Sequence, residues 1–432
     1  GFLAAARAGL VHVPVNYALR EGELAYILGR SGARAVLCDP QLRGTLDAVL
    51  PGLAEVEHVL ALRDDDDSLL TSALDGDVPE VDSGVGGDDL VQLLFTSGTT
   101  SKPKGAMMTH SALVAEYTSC LVGLDLAADD APLICMPLYH SAAMHVFTIP
   151  YLALGATIRL LPAPGVPEIL RIVEEERIGS LFLAPTVWVP LANHPDLETR
   201  DLSSLTKAQY GASIMPVTVL ERLRGRYPDL GFYNCFGQSE IGPLATILRP
   251  EEHDARPASC GRAALFVEAR VADETGADVP DGEPGEVLYR SPQLALGYWD
   301  DPEATAEAFR DGWFHSGDLA TRDAEGYLTV VDRIKDVINT GGVLVASREV
   351  EDAVYTHDAV AEVAVIGTPD EKWIEAITAV VVLKDGREAT AEEIIAHVRE
   401  RIAPFKVPKT VRFVDVLPRN QSGKLLKREL RS

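Results

Sequence analysis

Between Leu90 and Phe236, short apolar runs alternate with helical patterns, and nothing else in the sequence restricts the fold as much. VQLLF, PLICM, TIRLL, SLFLA and KAQYG read as strands, while SALVAEYTSCLVG, VPEILRIVEEERI and PVTVLERLRGRY between them read as helices. Such alternation implies a layered sheet with helices on its faces, so the expected class is α/β.

The texture changes after Cys260. FVEARVADETGADVPDGEPGEVLYRS alternates like strands separated by Asp-Gly and Pro-Gly turns, which predicts a β-rich subdomain. A further hairpin, EGYLTVVDR, leads into Asp332-Arg333-Ile334-Lys335-Asp336. Beyond it, strands near VAEVAVIG and AVVVLKD and a helix near AEEIIAHVRER predict a small α+β unit. The expected division is therefore 1–332 and 333–432, with a hinge near Lys335. At the other end, Ala4 to Ala8 has helix composition and Val11, Val13 and Val15 alternate like a strand.

At 432 residues the chain exceeds what one hydrophobic core usually organises. A net charge of −26 argues against a nucleic-acid surface, so any nucleotide site must be locally basic. Asp64–Asp67 reads as a solvated loop and not a metal site. The five cysteines lack C-x-x-C spacing, which points to free thiols in a reducing cytoplasm. The apolar window Met144–Leu161 holds His145, Pro150, Gly155 and Arg159, so it reads as core and not as a membrane span.

LLFTSGTTSKPKGAMMTH, residues 93–110, sets hydroxyls beside Lys102 and Lys104, with Gly98 and Gly105 between. The bland reading is a loop joining a strand to a helix. The sharper one is a phosphate cradle, where glycines let the backbone approach and hydroxyls, amides and lysines meet negative oxygens. A Walker loop does not fit, because Pro103 precedes Lys104 and Gly105 follows it.

The pattern TSGTTSKPKG instead resembles the phosphate loop of the adenylate-forming superfamily: acyl-CoA synthetases, adenylation domains of peptide synthetases, and firefly luciferase. Further stretches match in order along most of the chain. The resemblance implies ATP, Mg²⁺ and CoA as cofactors and a mobile C-terminal domain. It also implies that Thr96, Ser97, Gly98, Thr99, Thr100 and Lys104 bind phosphate, with Thr96 also near the metal. YGAS resembles the adenine segment, giving Gly211, Ala212 and Ser213, with Tyr210 where glycine is commoner. YNCFGQSE resembles the Y-G-x-T-E element, giving Tyr233, Phe236, Gly237, Gln238 and Ser239, with Glu240 as Mg²⁺ ligand. In GWFHSGDLA, Asp318 would take both ribose hydroxyls. In DRIKDVINTGG, Arg333 would contact ribose or α-phosphate and Lys335 would be the pivot. Asn339 stands where luciferases carry a lysine, so light emission is not expected. VLVASREVEDAV replaces a usual proline with Ala346-Ser347, and Ser347 is expected to cap the next helix. In PRNQSGKLLKREL, Lys424 would be the adenylation lysine. Family members carry further strands and helices ahead of the segment that opens this chain, so an N-terminally incomplete large domain is expected.

The same resemblance bears on the acid. Amino-acid-activating domains need an acidic side chain for the substrate ammonium, yet PLYHSAAMHVF (Pro137–Phe147) has none. HSAAMH, APTVWVP and FGQSEIGPLA are apolar or small, which favours an apolar acyl chain. His140 resembles the gate between acyl pocket and pantetheine tunnel, and a hydrogen-bonded core histidine is the plainer alternative. The expected function is a fatty-acyl-CoA synthetase with fatty acid, ATP and CoA as partners and a possible homo-oligomeric state. An aryl- or alicyclic-carboxylate CoA ligase, with Trp188 against the ring, is one alternative. A loader of phosphopantetheine carrier proteins and an inactive binding module are the others.

Overall fold

The computed structural model describes residues 1–63, 68–74, 81–96, 102–213, 215–370, 372–419 and 425–431. Asp64–Asp67 lies outside the described residues. Among them a seven-stranded sheet forms the centre. Pro132–Ile134, Arg159–Leu160, Ser180–Leu183, Lys207–Gly211 and Gly231–Phe236 run parallel, and Thr246–Leu248 and Arg262–Ala263 extend the sheet antiparallel.

Both faces of this sheet are covered, which explains its unbroken apolar strands. Leu181 and Leu183 face the helices Val166–Glu175, Pro185–Ala192 and Val217–Arg226, which bury Ile169, Ile172, Trp188, Leu220 and Leu223 against them. Phe182, one residue out of phase, faces the other layer with Phe147, Tyr151, Tyr233 and Ile247. Each fully buried Leu, Ile or Phe contributes about 2 kcal/mol. The helix His110–Gly123 starts where the Thr109 hydroxyl accepts the Ala112 N–H at 3.1 Å.

The β-rich part is an antiparallel sheet of Glu268–Ala272, Gly285–Arg290, Trp313–Arg322 and Leu328–Arg333, with Phe309–Arg310 beside Trp313–Arg322. The C-terminal part has its own sheet and core. Val360–Asp370 pairs with Ile374–Leu383, and the helices Ser347–Tyr355 and Ala391–Arg399 bury Val350, Val354, Ile394 and Val398 against them. A large α/β unit followed by a small α+β unit is thus present, as the alternation implied.

Two expectations fail. Residues 11–15 form no strand: only His12 bridges, to Gln92, through His12 N–H to Val91 O at 2.8 Å and Leu93 N–H to His12 O at 3.0 Å. Pro14 has no N–H to continue that ladder. Ser347 does not cap its helix either; Ala346 is the capping position and Ser347 is the first helical residue. Its N–H (2.6 Å) and hydroxyl (2.7 Å) both donate to one oxygen of buried Asp332, and Lys427 donates to the same hydroxyl. Burial disfavours the Lys427 ammonium, but Glu351 and Asp332 outweigh it and leave its pKa raised.

Among the described residues, no helix is long and apolar enough to cross a membrane. Met144, Val146, Phe147, Ile149 and Tyr151 of the apolar window lie in the core. All five cysteines are buried free thiols.

Candidate active site

The Gly231–Phe236 strand ends on a loop that must turn back at once, because Thr246–Leu248 pairs antiparallel with it. A Cβ at Gly237 would lie 2.0 Å from the Pro243 carbonyl oxygen, so only glycine permits this closure. The loop sets Gln238, Ser239 and Glu240 side by side at the carboxyl end of the parallel strands, where α/β sheets bind ligands.

Glu240 is buried, and its Oε1 accepts from the Thr96 hydroxyl at 3.2 Å and the Tyr298 hydroxyl at 3.0 Å. Thr96 ends the Leu90–Thr96 strand directly opposite Lys104, the first residue of its hairpin partner Lys104–Thr109. The Lys104 ammonium lies over the Tyr298 ring, 5.2 Å from its centroid. Tyr298 comes here because residues 296–299 run beside the Lys104–Thr109 strand, with Leu296 N–H to Met107 O at 3.0 Å and Trp299 N–H to Gly105 O at 2.7 Å. Burial and the Glu240 carboxylate push the Tyr298 hydroxyl far above its ordinary pKa, so it stays a donor.

A second pair lies along the same rim. Asp318 and Arg333 are register partners, and Arg333 Nε meets Asp318 Oδ1 at 2.6 Å. Gln238 Nε2 donates to Asp318 Oδ2 at 2.5 Å and to Ser316 O at 2.8 Å. The Ser239 hydroxyl shares a 2.8 Å hydrogen bond with Ser141. Residues from five separate stretches therefore meet: Thr96 and Lys104, Ser141, Gln238 to Glu240, Tyr298, and Asp318 with Arg333.

The other expected residues are placed as follows. Gly211 ends the neighbouring strand, where a Cβ would lie 2.2 Å from the Cys235 carbonyl oxygen, and Ala212 (φ +63°) and Ser213 follow on the surface. Phe236 is half-buried at its strand end. Tyr233 points into the core, and its hydroxyl donates to Asp125 at 3.1 Å, away from Glu240. Tyr210 is buried on the helix-covered face against His253, with its hydroxyl 3.0 Å from Nε2. His140 is half-buried, its ring tilted against Tyr139. Lys335 lies exposed in the single turn Ile334–Asp336. Ser97, Gly98, Thr99, Thr100 and Lys424 lie outside the described residues.

Trp188 does not take the role suggested for it in the aryl alternative: its indole N–H donates to Gln209 O at 3.1 Å and its ring packs on Phe232 in the core. Two residues escaped sequence reasoning. Tyr298 sits in LALGYWD, whose chemistry appears only once a cross-strand bridge brings it to Lys104, and Ser141 is one hydroxyl in a small-residue run.

Among the described residues no three His, Cys, Asp or Glu side chains cluster as a metal cage. One buried carboxylate with a neighbouring hydroxyl fits a hard cation that takes its remaining ligands from a nucleotide phosphate and water.

This arrangement is that of an ATP-using, adenylate-forming fold, and sequence comparison agrees. The chain belongs to the AMP-binding enzyme family, matching it over residues 1–299 and the AMP-binding enzyme C-terminal domain over residues 349–424. It is 40% identical over 428 residues to a feruloyl-CoA synthase from Amycolatopsis, covering 99% of this chain and 84% of that protein. It is 39% identical over 428 residues to the medium/long-chain-fatty-acid–CoA ligase FadD8 of Mycobacterium tuberculosis, covering 94% of this chain and 74% of that one. The crystal structure of ATP-bound MatB from Rhodopseudomonas palustris superposes with a TM-score of 0.91 at 31% identity, over 100% of this chain and 85% of that one. The chain is an adenylate-forming acyl-CoA ligase, using ATP and CoA.

Proposed function

We propose that the acid activated here is an apolar monocarboxylate, with medium- to long-chain fatty acids as the first class. The carrying observation is that Pro137–Phe147, tied to the phosphate-side loop through Ser141 and Ser239, offers no fixed charge to a substrate tail. Its one fully buried histidine is neutral: burial lowers the His145 pKa to about 3, and both ring nitrogens are engaged, Nδ1 by the Tyr117 hydroxyl and Nε2 by Gln92. An arylpropenoate is the second reading, favoured by the 40% identity to a feruloyl-CoA synthase.

In this reading the carboxylate attacks the α-phosphorus of ATP and displaces pyrophosphate, and the CoA thiol then attacks the acyl-AMP and displaces AMP. Lys104, Arg333 and Lys424 offset charge on the phosphoryl group, and Asp318 holds the ribose with Gln238 beside it. Gly211 to Ser213 border the base, Tyr233 braces the strand below, and Phe236 and Gly237 shape the turn above it. Glu240 and Thr96 would hold Mg²⁺, which when bound screens the phosphate charge. His140 stands at the acyl side, and Lys335 marks the hinge of a boundary at 332/333. The buried thiols suit a reducing cytoplasm. A panel of octanoate, palmitate, ferulate, malonate and phenylalanine, scored by pyrophosphate release and then acyl-CoA formation, tests the assignment. Malonate or phenylalanine as best substrate would refute it.

A further inference from the structure

Glu116 sits in the middle of the His110–Gly123 helix and is wholly buried. Its Oε1 accepts from Leu244 N–H at 3.0 Å and from the Cys120 thiol at 3.3 Å, and its Oε2 accepts from Gln293 Nε2 at 2.6 Å. No salt bridge pairs it with a cation among the described residues. Burial pushes its carboxyl up to about 8, so the fold keeps an acid where an acid is costly.

Gln293 is also wholly buried, and its Nε2 lies 2.8 Å from Ile241 O and 2.7 Å from Leu244 O as well. Its Oε1 meets no partner among the described residues, so the side chain serves through its nitrogen. Between these contacts Gly242, at φ +104°, passes so close that a Cβ would lie 2.9 Å from the Glu116 carboxylate. Just upstream, the Glu240 carbonyl accepts from Ala295 N–H at 2.8 Å, two residues beyond Gln293. The backbone that carries Glu240 is thus clamped between a buried helix acid and residues 293–295.

We propose that Glu116 and Gln293 are positioning residues for MgATP: acting through the 241–244 backbone, they fix where the Glu240 carboxylate points. This rests on the adenylation reading of Glu240. Neither side chain touches substrate, so removing either should loosen the metal-dependent part of nucleotide binding.

Glu116→Gln keeps the volume but sets an amide N–H against Gln293 Nε2, donor facing donor. Gln293→Met keeps the volume and removes the clamp from the other side. Binding of MgATP and of ATP in EDTA is measured by calorimetry for the wild type and both variants, with thermal unfolding recorded for each. Each variant should raise the Kd for MgATP roughly tenfold, the effect of leaving one buried hydrogen-bonding group unpaired, and leave metal-free ATP binding unchanged. Acyl-CoA formation from supplied acyl-AMP should stay at the wild-type rate. If Glu116→Gln does not fold, Gln293→Met decides. Equal weakening with and without Mg²⁺, or a lowered Tm with unchanged MgATP affinity, overturns the assignment. A wild-type protein that binds no MgATP overturns the adenylation reading and this assignment with it.

Discussion

Tyr298→Phe removes one oxygen atom and leaves the ring that carries Lys104 and packs edge-on to Phe309, with centroids 5.9 Å apart. What it takes away is the 3.0 Å hydrogen bond to Glu240. Burial and the Glu240 carboxylate raise the Tyr298 pKa, so its hydroxyl stays a donor. Hydrogen bonds to charged groups contribute roughly 1.5–3 kcal/mol. Thr96, 3.2 Å from the same oxygen, remains and takes up part of the loss. The lower half of that range is therefore expected, roughly a ten- to fortyfold fall in kcat/KM for MgATP. The assay is pyrophosphate release at saturating acid with MgATP varied, repeated over a series of Mg²⁺ concentrations. The fall should lie in KM and in the Mg²⁺ requirement, and thioester formation from supplied acyl-AMP should be untouched. Wild-type kinetics with MgATP at every Mg²⁺ concentration would show that Tyr298 does not orient Glu240.

Lys424→Ala should lose roughly 10²–10³-fold in acyl-AMP formation, by analogy with losing one oxyanion donor, and keep the thioester step; parallel loss in both half-reactions would remove its special role. The proposed hinge would be frozen by Ile334→Pro, since Ile334 opens its turn and follows Arg333 at φ −81°, ψ 136°, the extended geometry that precedes proline. Acyl-AMP formation should persist and acyl-CoA formation should collapse, and a normal thioester rate would sink the hinge assignment. The same substitution at Lys335 is a poorer test, because it would force Ile334 out of that turn. His12 and His145 have pKa values lowered by burial to about 4 and about 3. The unfolded chain therefore takes up their protons first, and stability is full above about pH 6.5 and falls as pH drops below it, by about 1.4 kcal/mol per unit for each histidine. Denaturant unfolding at pH 7.5, 6.0 and 5.0 checks this, and a flat profile would contradict the two lowered histidine pKa values.

The layered sheet was legible because apolar strands covered on both faces leave continuous runs such as SLFL, and the helices between them show one apolar side. Glu240, Asp318 and Arg333 were picked out only because the short stretches that hold them resemble those of a family, and the structure brings them to one rim. Tyr298 was not, because its role comes from a pairing across nearly two hundred residues of chain that no local pattern records. Trp188 misled for the opposite reason: an aromatic suits a ring-binding pocket and a core equally, and Gln209 O and Phe232 decided for the core. Ser347 has the chemistry of a cap, yet a better acceptor, Asp332, already stood within reach.

That last contact has a temporal consequence. Asp332 and Ser347 lie on opposite sides of the Ile334–Asp336 turn, so any swing of the small unit about that turn must part them. At the moment of parting, a buried carboxylate loses an N–H and an O–H donor before water can replace them, at roughly 1–3 kcal/mol for each buried group left unpaired. In the proposed hinge motion the penalty would fall on departure and be recovered on return, so the pair would act as an escapement that prolongs the posture in which it is made. A proline at 347 would offer neither donor. In the proposed hinge motion, one serine would lengthen the wait before the two halves trade places.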